Sequence, residues 1–156
     1  MKRNLLALMT AGCLLTAGNW AWSQEHTIAP GDLKWGPASP ALPPGAQVAV
    51  LAGDPTKEGI YVIRLKVPAG YKVPAHTHPQ DEHVTVISGT LNFGLGAKLD
   101  ETKAQALKAG GYAHAAQGMQ HFAFMTEDTI IQVHGLGPQG ITYVDPADDP
   151  RTKKSN

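Results

Sequence analysis

Two histidines and a glutamate lie close together near the middle of this 156-residue sequence. His76 and His78 are separated by one residue, and such a pair points to the same face of an extended segment because side chains alternate there. Pro79 ends that segment, and Glu82 begins the next apolar run, where it can bring a carboxylate oxygen to the same point. Two imidazole nitrogens and a carboxylate are typical ligands of Fe(II), Mn(II) and related ions.

A third nitrogen can come from His121, which begins a segment in which His121, Ala123 and Met125 share one face. Gly118 supplies the turn before that segment. The sequence therefore predicts one divalent metal ion held by four residues: His76, His78, Glu82 and His121. Residue types alone do not select among Fe, Mn, Ni, Cu and Zn for such a ligand set.

Short strands must position these side chains, because 17 glycines and 12 prolines divide the chain into short segments. Alternation and β-branched content predict strands at 47–52, 60–67, 84–87, 90–95, 121–125, 129–134 and 141–144. Ser88, Gly89 and Thr90 predict a hairpin between the third and fourth of these strands. One helical turn is expected at 98–103. Strands at this spacing favour an all-β fold, a small antiparallel barrel or sandwich.

Four further residues are candidates for positions near the predicted ligands. His83 follows Glu82 and should point to the opposite face of its strand, which favours a surface or interface role. Asp81 has the wrong parity for a ligand for the same reason. His114 is either close to the ligands or substrate, or a partly exposed loop residue. His134 either lines the interior near the metal or lies outside, and the sequence leaves both open.

The N-terminus has the three-part pattern of a secretory signal peptide. Two basic residues precede an uncharged apolar run at 5–18, and Ala21 and Ser23 are small residues at the positions that a signal peptidase reads. A retained anchor is the alternative, but a run of about 14 residues is shorter than the roughly 20 that a spanning helix needs. The sequence predicts a signal peptide over 1–23, cleavage after Ser23, a periplasmic or secreted protein, and no stable membrane insertion.

Removal of that segment leaves 11 basic and 13 acidic side chains and no cysteine, because Cys13 is the only one. A near-neutral balance gives no electrostatic reason to expect a nucleic-acid partner. Without cysteine, the metal ligands must be histidines and carboxylates. The remaining chain divides into an extended arm at 24–46, a barrel at 47–144 and a flexible tail at 145–156. The arm is expected to pack either on the barrel or on a second subunit.

The spacing of the ligands also resembles a known motif. The run Gly70-x5-His76-x-His78-x3-Glu82-x6-Gly89 is similar to the first motif of the cupin superfamily at every position. This resemblance implies a small antiparallel jelly-roll β-barrel of six or more strands with the metal inside.

The second cupin motif is matched in part. Gly110 and the run Gly118-x2-His121 are present, whereas Ala116 and Met125 stand where that motif has proline and asparagine. The resemblance extends over residues 47–144 and implies the same four metal ligands.

Cupins with this ligand set include many dioxygenases, so the resemblance implies a metal-dependent, dioxygenase-like oxidoreductase that acts on a small oxygen-bearing organic molecule. Glu82 would then serve as a proton acceptor when it dissociates from the ion. The alternative is a non-catalytic module that binds or senses a small ligand and keeps a structural metal, because fold does not fix function. A homodimer is also compatible with the arm and the resemblance.

Overall fold

The structure, a computed structural model, describes residues 27–152. The predicted signal peptide and its cleavage site lie outside the described residues. The described part is built mainly of strands, which form two antiparallel sheets. This confirms the predicted all-β, jelly-roll class.

None of the helices within residues 27–152 has the length and apolar character needed to cross a membrane.

The first sheet consists of six strands of the described chain. From one edge to the other they are Gly36–Pro37 (β1), Gln47–Ala52 (β2), Gly59–Val67 (β3), Thr129–Gly137 (β10), Glu82–Ser88 (β5) and Tyr112–Ala115 (β8). The second sheet runs in the order Thr142–Tyr143 (β11), Lys72–Thr77 (β4), His121–Phe124 (β9), Thr90–Leu95 (β6) and Gln105–Lys108 (β7). Short 3-10 helices occupy Pro30–Asp32, Glu101–Lys103, Pro146–Asp148 and Pro150–Thr152.

The main core lies between the two sheets and follows from the alternation of the longest strands. On β3, Tyr61, Ile63 and Val67 are each 3% exposed, whereas the residues between them are partly open to solvent. Leu91 on β6 and Val133 on β10 are each 1% exposed and belong to the same cluster. Burying such a side chain contributes about 1.5–3 kcal/mol, so this interior face determines which side of each strand points inward.

The predicted hairpin between β5 and β6 is wrong. β5 pairs with β10 and β8 in the first sheet, whereas β6 pairs with β7 and β9 in the second. Gly89, between them, has a φ of +76°, and a Cβ there would lie 2.6 Å from the Asp128 carbonyl oxygen. The turn therefore carries the chain from one sheet to the other, and the close approach of the 128–129 backbone requires glycine.

The described part of the N-terminal arm packs on the barrel. β1 pairs with β2, and the buried Tyr143 hydroxyl donates to the Ala41 carbonyl oxygen at 2.7 Å. At the other end, the segment predicted as a flexible tail has local order as far as residue 152. The Asp145 side chain accepts from the Ala147 amide at 2.9 Å, which caps the helix at Pro146–Asp148.

Candidate metal centre

Three histidines on or next to the second sheet meet at the interior face. His76 on β4 and His121 at the start of β9 are direct cross-strand partners, and His78 lies one residue beyond β4. The ring centroids are 4.2 Å apart for His76 and His121, 4.9 Å for His76 and His78, and 5.2 Å for His78 and His121. All three residues are at most 9% exposed. The alternation predicted from the i, i+2 spacing therefore brings both neighbouring histidines to the same point.

The three rings are fixed in one orientation by the backbone. Each Nδ1 contacts a carbonyl oxygen: His76 contacts Pro74 at 2.7 Å, His78 contacts Gly140 at 2.6 Å, and His121 contacts Met119 at 3.0 Å. A carbonyl oxygen only accepts hydrogen bonds, so Nδ1 carries the proton and Nε2 keeps its lone pair. Metal-binding histidines are commonly oriented in this way.

Glu82 comes to the same place from the first sheet. Its Oε2 atom lies 3.4 Å from His78 Nε2 and 3.6 Å from His121 Nε2, and its side chain is 13% exposed. Burial acts to raise the pKa of Glu82, but the facing imidazoles of His121 and His78 outweigh it and hold the pKa well below its usual range. The carboxylate is therefore ionised at neutral pH and supplies negative charge to the site.

The histidines differ in how readily they take a proton. Burial, together with the neighbouring imidazoles of His121 and His78, lowers the pKa of His76 to about 3. Burial also acts to lower the pKa of His78, but the Glu82 carboxylate more than offsets this and raises it. His76 is thus neutral and ready to bind an ion at neutral pH, whereas the Glu82 carboxylate makes His78 the more readily protonated of the two.

The donor set fits a divalent transition-metal ion. The three histidine nitrogens lie within 4.8 Å of one another. His78 Nε2 is buried and has no hydrogen-bond partner among the described residues. Metal–ligand bonds of about 2.1 Å at a tetrahedral angle separate two ligand atoms by about 3.4 Å. The Nε2–Oε2 distances of 3.4 Å and 3.6 Å are close to that value.

A small cavity of about 60 Å³ adjoins these groups. Its polar end is formed by His76, Glu82 and His121, and its remaining wall is mainly apolar and includes Phe93 and Met125. An apolar wall beside buried charged groups keeps the local dielectric low and strengthens their electrostatic interactions.

The turn before β9 positions His121. The Met119 amide donates to the Ala116 carbonyl oxygen at 2.9 Å, and Gly118 has a φ of +72°, as the third residue of a type II turn requires. The Gly118 amide donates to the His78 carbonyl oxygen at 3.0 Å. The turn is thus closed by backbone hydrogen bonds without the proline of the usual motif, and it joins the two ligand segments directly.

The other histidines of the barrel lie outside the centre. His83 points to the outer face of the first sheet, as its parity predicts, and its ring stacks against those of His114 and His134. His134 therefore does not line the interior. His114 is on β8 rather than in a loop, because residues 112–115 pair with β5. Asp81 is exposed and faces His114 rather than the three interior histidines.

Solved structures with similar folds include enzymes. A polyketide cyclase from Streptomyces resistomycificus superposes with a TM-score of 0.65 at 15% identity, covering 80% of this chain and 88% of that one. A protein from Methylibium petroleiphilum PM1, named as a candidate acetylacetone dioxygenase, gives a TM-score of 0.60 at 19% identity, covering 81% of this chain and 85% of that one. At these identities the likeness shows the fold alone.

Sequence comparisons identify the family of this chain, which the fold alone does not. A germin-like protein of Arabidopsis thaliana, subfamily 2 member 1, is 35% identical over 83 residues, which is 53% of this chain. The match spans only 37% of the length of that plant protein. The family described as the ChrR Cupin-like domain matches residues 23–139. The chain therefore belongs to the cupin superfamily, within the family of the ChrR Cupin-like domain.

Proposed function

We propose that this cupin is an exported, metal-dependent oxidoreductase of dioxygenase type that acts on a small oxygen-bearing organic molecule. The observation that carries the proposal is the convergence of three buried Nε2 atoms and one ionised carboxylate beside an apolar cavity. In this proposal His76, His78, His121 and Glu82 would hold one divalent ion beside the cavity.

A bound Fe(II) or Mn(II) ion would supply Lewis acidity and redox chemistry toward O2 and a bidentate oxygen ligand. The protein's own groups prepare this chemistry. The backbone carbonyls fix the imidazoles, so little reorganisation is needed when the ion binds. Glu82 is held ionised, and its Oε2 is the group placed to accept a proton from a substrate when it leaves the ion.

The cavity favours a small substrate. Its volume of about 60 Å³ accommodates only the reacting part of an organic molecule, and its apolar wall excludes water from that part. Small compounds whose two oxygens can bind one ion together, such as β-diketones and catechols, fit a site of this size and polarity. A protein with the same fold is named as a candidate acetylacetone dioxygenase, and acetylacetone is a β-diketone.

The alternative is a non-catalytic module that binds or senses a small ligand and keeps a structural metal. The cavity of about 60 Å³ is smaller than the roughly 300–1,000 Å³ of common small-molecule sites, which favours a structural role of the metal over turnover beside it. A structural ion would be Zn²⁺ rather than Fe or Mn, and no substrate would be turned over.

The two functions are separated by metal analysis of the purified protein together with O2 consumption on a panel of β-diketones and catechols. The enzyme is expected to contain Fe or Mn and to consume O2 with at least one compound. His78→Ala should abolish both the Fe or Mn content and the O2 consumption, whereas His134→Ala, a histidine outside the centre, should keep both. Zinc in place of Fe or Mn, without turnover, would favour the binding module, and full retention of Fe or Mn in His78→Ala would refute the ligand set.

Export and dimerisation belong to the same proposal. N-terminal sequencing of protein recovered from the periplasm or medium should begin at Gln24, whereas a retained N-terminal methionine in the cytoplasm would contradict export. Light scattering after gel filtration should give twice the mass of the mature chain, whereas the mass of a single chain would contradict the homodimer.

A further inference from the structure

Three histidines form a continuous row on the outer face of the first sheet, opposite the interior centre. His134 on β10 is the direct partner of His83 on β5, and His83 is the direct partner of His114 on β8. Neighbouring ring centroids are 4.9 Å and 4.8 Å apart, with interplanar angles of 15° and 13°. Cross-strand neighbours in register place their side chains in reach of a common ligand.

A carboxylate completes this cluster. Asp81 Oδ1 accepts a hydrogen bond from the Gln117 amide at 2.8 Å, which fixes the side chain and leaves Oδ2 free. Asp81 Oδ2 lies 3.5 Å from His114 Nε2. That separation is longer than the usual 2.9–3.0 Å of an N–H···O hydrogen bond, by about half an ångström. It is close to the roughly 3.4 Å between two ligand atoms on one tetrahedral ion.

The imidazole of His83 is held in place as well. Its Nδ1 atom contacts the Tyr112 hydroxyl at 2.6 Å, which leaves Nε2 as the nitrogen available to an ion. One ligand atom from each of Asp81, His83 and His114 can be chosen so that all three lie within 4.8 Å. A hydrogen-bonded partner on the far nitrogen is the arrangement that orients metal-binding histidines elsewhere.

We propose that Asp81, His83 and His114 form a second metal site, separate from the interior centre, that binds Zn²⁺, Cu²⁺ or Ni²⁺. Two imidazoles and one carboxylate suit these ions, and the ring of His134 stacks on that of His83. The cluster borders an outer depression of about 490 Å³ lined by residues such as Asp81, His83, Gln117 and His134, where water or an external ligand completes the coordination. Because Glu82 and His83 are consecutive on β5, the two ions would lie on opposite faces of one strand.

The site can be tested by Zn²⁺ equilibrium dialysis of the mature protein, followed by elemental analysis. The wild type should bind two equivalents, the double variant His83→Gln/His114→Gln should bind one, and His78→Ala should bind one at the outer site. Tyr112→Phe, which keeps the ring but removes the hydroxyl that holds His83, should weaken the outer site by about 10-fold or more.

A single equivalent in the wild type with none in His78→Ala would overturn the proposal, as would two equivalents in the double variant. Thermal unfolding of the metal-free double variant controls for misfolding, because these side chains lie outside the core and their replacement should leave the midpoint close to that of the wild type. Co²⁺ provides an independent readout: the visible bands of the double variant should be those of the interior site alone, and an unchanged spectrum at two equivalents would contradict the outer site.

Discussion

Glu82→Gln tests whether Glu82 helps the interior centre to bind a metal ion, because the substitution keeps the shape of the side chain and removes its charge. The Glu82 Oε2 atom lies 3.4 Å and 3.6 Å from the free nitrogens of His78 and His121. A neutral amide at the same place supplies a weaker oxygen ligand and no compensation for the ion's charge. We therefore expect the variant to fold and to bind divalent metal much more weakly.

The size of the effect can be worked out for a Mn²⁺ concentration 100 times the dissociation constant of the wild type. Binding then stabilises the wild type by about 2.7 kcal/mol. Loss of a group that merely supports a ligand weakens metal binding about 10–100-fold, so loss of the charged ligand should weaken it by about 100-fold or more. The variant would then be half-saturated and gain only about 0.4 kcal/mol. For a domain of this length, that difference of about 2.3 kcal/mol corresponds to a midpoint difference of roughly 7–12 °C.

Thermal unfolding of each protein with and without Mn²⁺ measures this gain and cancels any change in the metal-free protein. Glu58→Gln, which removes an exposed carboxylate, is the matched control and should gain as much from the metal as the wild type. If Mn²⁺ raises the midpoint of Glu82→Gln as much as that of the wild type, Glu82 is not a ligand and the reasoning is refuted.

Two further substitutions test the packing that supports the centre. Gly94→Ala places a Cβ 2.2 Å from the ring of the fully buried Phe122, so it should lower the free energy of unfolding by about 3 kcal/mol, measured in urea. Gly36→Ala is the control: its Cβ meets no atom within 4 Å, so the free energy of unfolding should change little. The neutral Tyr143 hydroxyl donates to the Ala41 carbonyl oxygen, and burial raises the pKa of Tyr143 to about 12. The stability that this neutral hydroxyl contributes is therefore present below about pH 10, the pKa in the unfolded chain, and is lost as the pH approaches 12. Tyr143→Phe should therefore be less stable than the wild type at pH 8 and lose less stability between pH 9 and 12; equal pH slopes would contradict this.

The convergence of the candidate ligands could be predicted because local spacing alone determines the direction of their side chains. Alternation along an extended segment places His76 and His78 on one face whatever the strand pairs with, and it separates Glu82 from His83. The same rule predicted that Asp81 is not at the interior centre. Strand positions were also readable from apolar alternation, with ends differing by a few residues where β5 and β10 extend beyond the apolar run.

Pairing between distant strands could not be predicted in this way. The sequence around Gly89 has the composition of a hairpin, but β5 is more extensively paired with β10, which is distant in the chain. β8 is only four residues long and is rich in alanine, so its strand character arises from pairing with β5 rather than from its own propensity. The outer cluster was missed for the same reason, because His83 and His114 become neighbours only through that pairing.

The second motif of this chain lacks two of its usual residues, and Gly118→Ala tests what still positions His121. A Cβ at Gly118 meets no atom within 4 Å, so the cost of the substitution is that of its φ of +72°, about 1–2 kcal/mol. Gly110 offers a matched control, because it has a φ of +85° and a Cβ there would also meet no atom within 4 Å. Like Gly118, it is the third residue of a turn, which is closed by a hydrogen bond from the Gly111 amide to the Lys108 carbonyl oxygen at 2.7 Å.

Both variants should therefore lose similar stability without metal. Only the turn of Gly118 leads into a ligand and donates to the His78 carbonyl oxygen, so only Gly118→Ala should weaken Mn²⁺ binding, by about 10-fold or more. Equal losses of metal affinity in the two variants would mean that backbone strain anywhere in the barrel loosens the centre. An unchanged affinity in Gly118→Ala would mean that the cross-strand pairing of His121 with His76 positions the ligand without help from the turn.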